Sequence, residues 1–200
     1  MTYLNLLQTL DTWFAEGVVA AGSGVVPCRA GCNACCHGPF DISAADARQV
    51  AHGVAQLPTD VAEGVRQRAS AQLLTGQTTF PGWQAPWRPI DIGEDAFDAI
   101  CDALAGIPCP ALDPATGACL IHEHRPATCR LTGLSLRTVE DDLLENVCPI
   151  QGQYPEYLAL AATPFDLMRF ELAAAEHDLE AMDEGWNSTT VAGAIRRGKA

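Results

Sequence analysis

Cys28, Cys32, Cys35 and Cys36 fall within ten residues of one another, and His37 follows directly. A second set, Cys109, Cys119, Cys129 and Cys148, is sparser, each member lying in or beside a turn-rich segment. Thiolates are soft donors that suit zinc and iron–sulfur clusters. Short spacings let one loop wrap a metal, and Gly31 frees the backbone to turn. Structural zinc closes a tetrahedral set of four ligands, catalytic zinc keeps three and a water, and a cubane cluster takes one cysteine per iron. Four plus four thiols allow two four-cysteine sites or one site mixing both halves of the chain. Adjacent Cys35 and Cys36 are expected to point apart unless the backbone is kinked, and to serve different centres or different roles.

Nine cysteines in 200 residues is a high count, and in a reducing compartment it argues for metal chemistry over disulfides. Cys101 stands apart. It shares a helical apolar face with Phe97, Ile100 and Leu104 and reads as a packed thiol. Cys28, Cys32 and Cys35 also have the C-x3-C-x2-C spacing of radical S-adenosylmethionine enzymes, but the alternating strands and helices of that barrel are missing. His37 is placed to complete a zinc site. His122 and His124 flank Glu123 and would share a face in an extended strand. His52 and His177 fall on expected helices and read as ordinary surface groups. Arg125 and Arg130 flank Cys129 and bring positive charge to a thiolate-rich site, where they can donate to sulfur or to acidic neighbours.

Helices are expected to position these loops. Tyr3, Leu7, Leu10, Trp13 or Phe14, and Val18 recur every three to four positions until Gly22-Ser23-Gly24 breaks the pattern. Ser43 and Asp46 form a capping box for a helix to about Gln56, and Thr59 is expected to cap another to about Leu74. Residues 75–92 read as an irregular Pro/Gly stretch in which Trp83 and Trp87 pin the loop to the core or line a pocket. A short helix is expected from about Glu94 to Ala105, then loop with a short hairpin across 107–131. Thr163-Pro164 with Asp166 reads as a helix start, followed by Phe165, Met168, Leu172, Ala175, Leu179 and Met182 at threes and fours. A last helix is expected over Thr190–Arg197. The class is mainly α: a small helical domain of 200 residues with irregular, cysteine-rich, metal-binding loops at 28–148 and flanking helices at 1–22 and 163–197.

The formal net charge is −13, from 25 acidic and 12 basic residues, and Lys199 is the single lysine. Such a surface repels phosphate backbones and argues against a nucleic-acid partner. No apolar run approaches membrane-spanning length and no basic leader opens the chain, so a cytoplasmic protein with no membrane partner is expected.

Gly31-Cys32-x-x-Cys35-Cys36-His37, Cys109-Pro110-x-Leu112, Gly117-x-Cys119-x-Ile121, Arg125-Pro126-x-x-Cys129-Arg130 and Cys148 together resemble the YkgJ-like cysteine-cluster family, described as zinc- or iron-chelating. The resemblance implies that Cys28, Cys32, Cys35, Cys36, Cys109, Cys119, Cys129 and Cys148 are the metal-associated set. His122 stands where relatives often carry an aromatic residue. The expected function is metal binding, with zinc or an iron–sulfur cluster, of the four-iron type among others, as the centre. Two alternatives are an iron–sulfur-dependent enzyme of redox or methyl-transfer type, and a metal chaperone or sensor.

Overall fold

The computed structural model describes residues 1–29, 31–145 and 148–198; Lys199 lies outside them. Eight α-helices dominate the described residues: α1 (Tyr3–Ala21), α2 (Ala44–Ala55), α3 (Thr59–Thr79), α4 (Glu94–Leu104), α5 (Ala127–Leu131), α6 (Pro155–Leu158), α7 (Leu167–Asp183) and α8 (Val191–Arg197). Among the described residues five two-residue strands join them: β1 (Asp41–Ile42), β2 (Leu136–Arg137), β3 (Leu143–Leu144), β4 (Thr163–Pro164) and β5 (Thr189–Thr190). β1 pairs antiparallel with β5, and β2 lies between antiparallel β3 and parallel β4. The chain is mainly α, as its periodicity predicts.

Caps fix the helix starts. The Thr2, Ser43 and Thr190 hydroxyls accept amide hydrogen bonds at the entries of α1, α2 and α8. Two expected boundaries are corrected. Thr59 is the first residue of α3 rather than its cap, and the helix continues to Thr79. Thr163-Pro164 is strand β4, so the cap of α7 is Asp166, whose carboxylate accepts from the Arg169 amide.

Three apolar clusters hold the fold. The largest joins α2, α3, α4 and α8 around Val50, Val54, Val65, Leu73, Ile100 and Ile195. A second packs α1 on α2 and α7 through Leu6, Leu7, Leu10 and Phe170. The third gathers Trp13, Val26, Leu134, Leu136, Cys148 and Tyr157. The stripe that announces α7 is not the face it buries. Phe170 and Ala181 are buried, whereas Met168, Leu172, Leu179 and Met182 are exposed. Trp83 is 1% exposed and packs over Gly76 of α3 and beside Phe97, so it pins the 80–92 loop.

Candidate metal centre

The first cysteine loop is a run of tight turns. The Cys32 amide donates to the Arg29 carbonyl and the Cys36 amide to that of Asn33, both at 2.9 Å. Gly31 sits within the first of these turns at φ +81°, a conformation that side chains disfavour. Cys28 lies on the exposed rim of this loop.

The later cysteines come to the same place by separate routes. The Gly38 amide donates to the Ile107 carbonyl and the Cys109 amide to the Cys36 carbonyl, both at 2.8 Å, with His37 bridged to Pro108. A hairpin then pairs Leu112 with Cys119 and returns the chain beside Cys109. Arg68 of α3 clamps its base by donating to the Pro110 and Leu112 carbonyls at 3.0 and 3.1 Å. Pro126 sets the entry to α5, which carries Cys129 and Arg130. Cys148 is buried against Trp13 and Tyr157 in the third cluster. The Tyr157 hydroxyl donates to the Gly133 carbonyl. Gly133, at φ +117°, lets the backbone pass close to Phe14 and the Cys28 sulfur, where a Cβ would meet them at 3.2 and 3.5 Å.

The result is one cavity of about 530 Å³ whose walls carry Cys28, Cys32, Cys35, Cys36, Cys109, Cys119, Cys129 and Cys148. Cys101 does not line it and is half-buried on α4. All nine cysteines are free thiols.

Electrostatics group these thiols by neighbour. The neighbouring Cys36 thiol lowers Cys35 to about 6, and Cys35 together with burial raises Cys36. Cys28 is pushed up to about 11 by burial and then by Cys148, Cys32 and Cys35. Burial, followed by Cys119 among the neighbouring thiols, takes Cys109 to about 12. Cys129 is raised by burial, then Cys109, Cys119 and Cys35. Arg125 and Arg130 oppose the rise at Cys119 that burial causes, and Arg125 also favours the Cys35 thiolate.

Both arginines reach this wall, but their main partner is Asp11 of α1. Arg125 donates to its carboxylate at 2.6 Å, and Arg130 donates to its other oxygen. Arg130 is 3% exposed and also donates to the Arg125 and Glu123 carbonyls. It therefore ties α5, which carries Cys129, to the 123–125 turn before it. Arg125 Nε is buried with no hydrogen-bond partner, a free donor on a cavity-lining residue.

The histidine pattern is corrected. Residues 122–124 form a 3-10 turn, not a strand, so His122 and His124 separate. His122 lines the cavity and contacts Arg125. His124 turns to α2, bonded to Gln49 and Gln56 and edge-on to His52. His37 is not a lining residue. His177 stacks edge-on against Tyr3 and pairs with Glu180. Sequence reasoning missed Asp11 and Tyr157. Asp11 was visible as one of two acids, with Glu16, among the apolar positions of α1, but Tyr157 carries no local signal.

Among the described residues, no group of three or more His, Cys, Asp or Glu side chains is drawn together as a site for a single ion. The thiols instead spread over the cavity walls. The donor set fits a zinc or iron centre in kind: eight soft sulfurs, two cationic neighbours and one unpaired N–H donor.

The chain belongs to the CxxCxxCC family, described as a "putative zinc- or iron-chelating domain", whose model matches residues 27–149. The first gap here is one residue longer than in the family's name, with Gly31 inside it. No curated protein and no solved structure gives a significant match.

Proposed function

We propose that this chain is an iron–sulfur protein, with Cys28, Cys32, Cys35, Cys36, Cys109, Cys119, Cys129 and Cys148 as metal ligands. The observation that carries this reading is the gathering of all eight thiols on one cavity of about 530 Å³. A tetrahedral zinc–thiolate site, with bonds of about 2.3 Å, keeps its sulfurs in mutual contact and leaves no such space. An iron–sulfur cluster sets one thiolate on each iron around a body of several atoms. Arg125 Nε is suited to donate to sulfur, and such donors together with burial tune a cluster's potential. Bound there, a cluster supplies one-electron chemistry. Arg125 and Arg130, locked to Asp11, hold the ligand loop against α1.

A second reading adds catalysis. Phe14, Phe40, Leu112, Ile121 and Val191 give the same cavity an apolar side, which supports a small molecule binding beside the centre. The free thiols and acidic surface fit a reducing, cytoplasmic setting without a nucleic-acid partner. No helix among the described residues is long and apolar enough to cross a membrane.

Iron, zinc and acid-labile sulfide in protein purified without oxygen test the reading. Iron with matching sulfide, in a brown protein that bleaches on oxidation, is expected. A colourless protein with stoichiometric zinc overturns it.

A further inference from the structure

We propose that the outward face of α7 is a docking seam for a basic amphipathic helix of another protein. Met168, Leu172, Ala175, Leu179 and Met182 recur at four, three, four and three residues along this helix. That alternation is the seam spacing of a coiled coil. The buried line of the same helix, Phe170 and Ala181, lies on its other side, in the cluster shared with α1 and α2. The seam stands clear of the fold. Met168 is 53%, Leu172 66%, Leu179 64% and Met182 57% exposed, and Ala175 between them is exposed too. Residues three and four apart are neighbours on a helix surface, so these side chains form one continuous apolar ridge rather than scattered exposures. A helix that only has to cover a core carries polar residues on its outer face.

The charges beside the ridge say what it takes. Arg169, Glu176 and Asp183 run along one side, and Glu171 and Asp178 along the other. These are the flanking positions whose charges set partner choice in a coiled coil. Only Arg169 among them is basic. Asp178 is occupied by the Ala45 amide at 2.8 Å, whereas Glu171, Glu176 and Asp183 stand exposed. The last turn of α7 holds no basic residue, so Asp183 lies against the negative end of the helix dipole. Lysines or arginines flanking the seam of an incoming helix offset both the acidic flanks and that dipole. A second copy of α7 instead sets mostly acid against acid, on chains of net charge −13, and an anionic lipid surface is repelled in the same way.

Two further features suit a helical partner. Met168 and Met182 close the ends of the ridge with unbranched side chains that adapt to what packs on them. α7 is already folded against α1 and α2, so only the partner has to be ordered on binding.

The test uses the full chain and a dye-labelled synthetic probe, a three-heptad helical peptide with leucine at its seam positions and lysine flanking them. A twin peptide carries glutamate in place of lysine, and fluorescence anisotropy reads both. Wild type should bind the lysine peptide about tenfold or more tighter than the twin. Leu172→Gln combined with Leu179→Gln keeps every charge and should weaken the lysine peptide by about tenfold or more. Helical circular dichroism and metal per chain should not change. Glu171→Lys combined with Glu176→Lys should turn the preference towards the glutamate twin. No binding by wild type, or binding that survives the two leucine substitutions and so reflects charge alone, overturns the proposal. A wild-type dimer in sedimentation that the same substitutions dissociate overturns it in favour of a second copy. Binding to phosphatidylcholine–phosphatidylglycerol vesicles that they abolish overturns it in favour of a membrane surface.

Discussion

The amide of Cys109 donates to the carbonyl of Cys36 at 2.8 Å, stitching together two thiol-bearing segments that are far apart in sequence. That bond uses backbone alone, and the cluster built on α2, α3, α4 and α8 needs no metal to close. Metal-free protein is therefore expected to keep its helical far-ultraviolet signal while its thermal midpoint falls. The loss at a thousandfold excess of metal over Kd would be about 4 kcal/mol. Collapse of the helical signal on chelation would place the metal at the root of the whole fold.

Asp11 is the shared counterion of Arg125 and Arg130, and the Arg130 side chain is only 2% exposed. Asp11→Ala strands a buried guanidinium. Half-exposed Asp11 softens the loss, so urea unfolding should show a drop of about 2–3 kcal/mol. The seating of α5 and its Cys129 against α1 should loosen with it, lowering metal retention during dialysis. Unchanged urea stability would mean that the pair is fully solvated and braces nothing.

Asp46 joins three helices. It lies in α2, accepts from the Tyr3 hydroxyl of α1 at 2.9 Å, and accepts from the Ala127 amide of α5 at 3.1 Å. Burial raises it to about 6 against these hydrogen bonds. An unfolded aspartate titrates near about 3.9, so between the two values the folded chain holds a proton that the unfolded chain has lost. Stability from this group is complete below about pH 4 and falls as pH rises towards 6, by about 3 kcal/mol in total. Asp46→Asn keeps an accepting oxygen without the charge. The variant should be more stable than wild type at pH 7, and the gap should close towards pH 4. A gap that does not change with pH would refute the assignment.

Trp83 packs over Gly76, where a Cβ would come within 2.5 Å of the indole. Trp83→Ala should cost about 3–5 kcal/mol by emptying this site. Gly76→Ala should cost about 1–3 kcal/mol by crowding it. Neither residue lines the thiol cavity, so metal per chain in the folded fraction should not change. Loss of metal from folded Trp83→Ala protein would tie the loop to the centre.

Much of this was legible in the sequence because it depends on local rules. Ser43 caps α2 as its capping box implies, and α4 and α8 begin within a residue of expectation. Positions set by distant partners were not legible. Thr163-Pro164 looks like a helix start, but Leu136 and Arg137 recruit it as a strand. The His122-Glu123-His124 alternation suggests a strand face, but the chain turns there and His124 joins α2. Periodicity showed that α7 is a helix without showing which side packs. Leu172→Gln or Leu179→Gln on its exposed ridge should shift stability by no more than about 0.5 kcal/mol. The cysteine groups were visible, but the pairing of Cys36 with Cys109 across the chain required the fold.

X-ray absorption at the metal edge of protein purified without oxygen reads the ligand atoms and the neighbouring metals together. On the iron–sulfur reading, an all-sulfur first shell together with iron–iron scattering is expected. Nitrogen or oxygen donors in the first shell, or a lone zinc with no neighbouring metal, would contradict it.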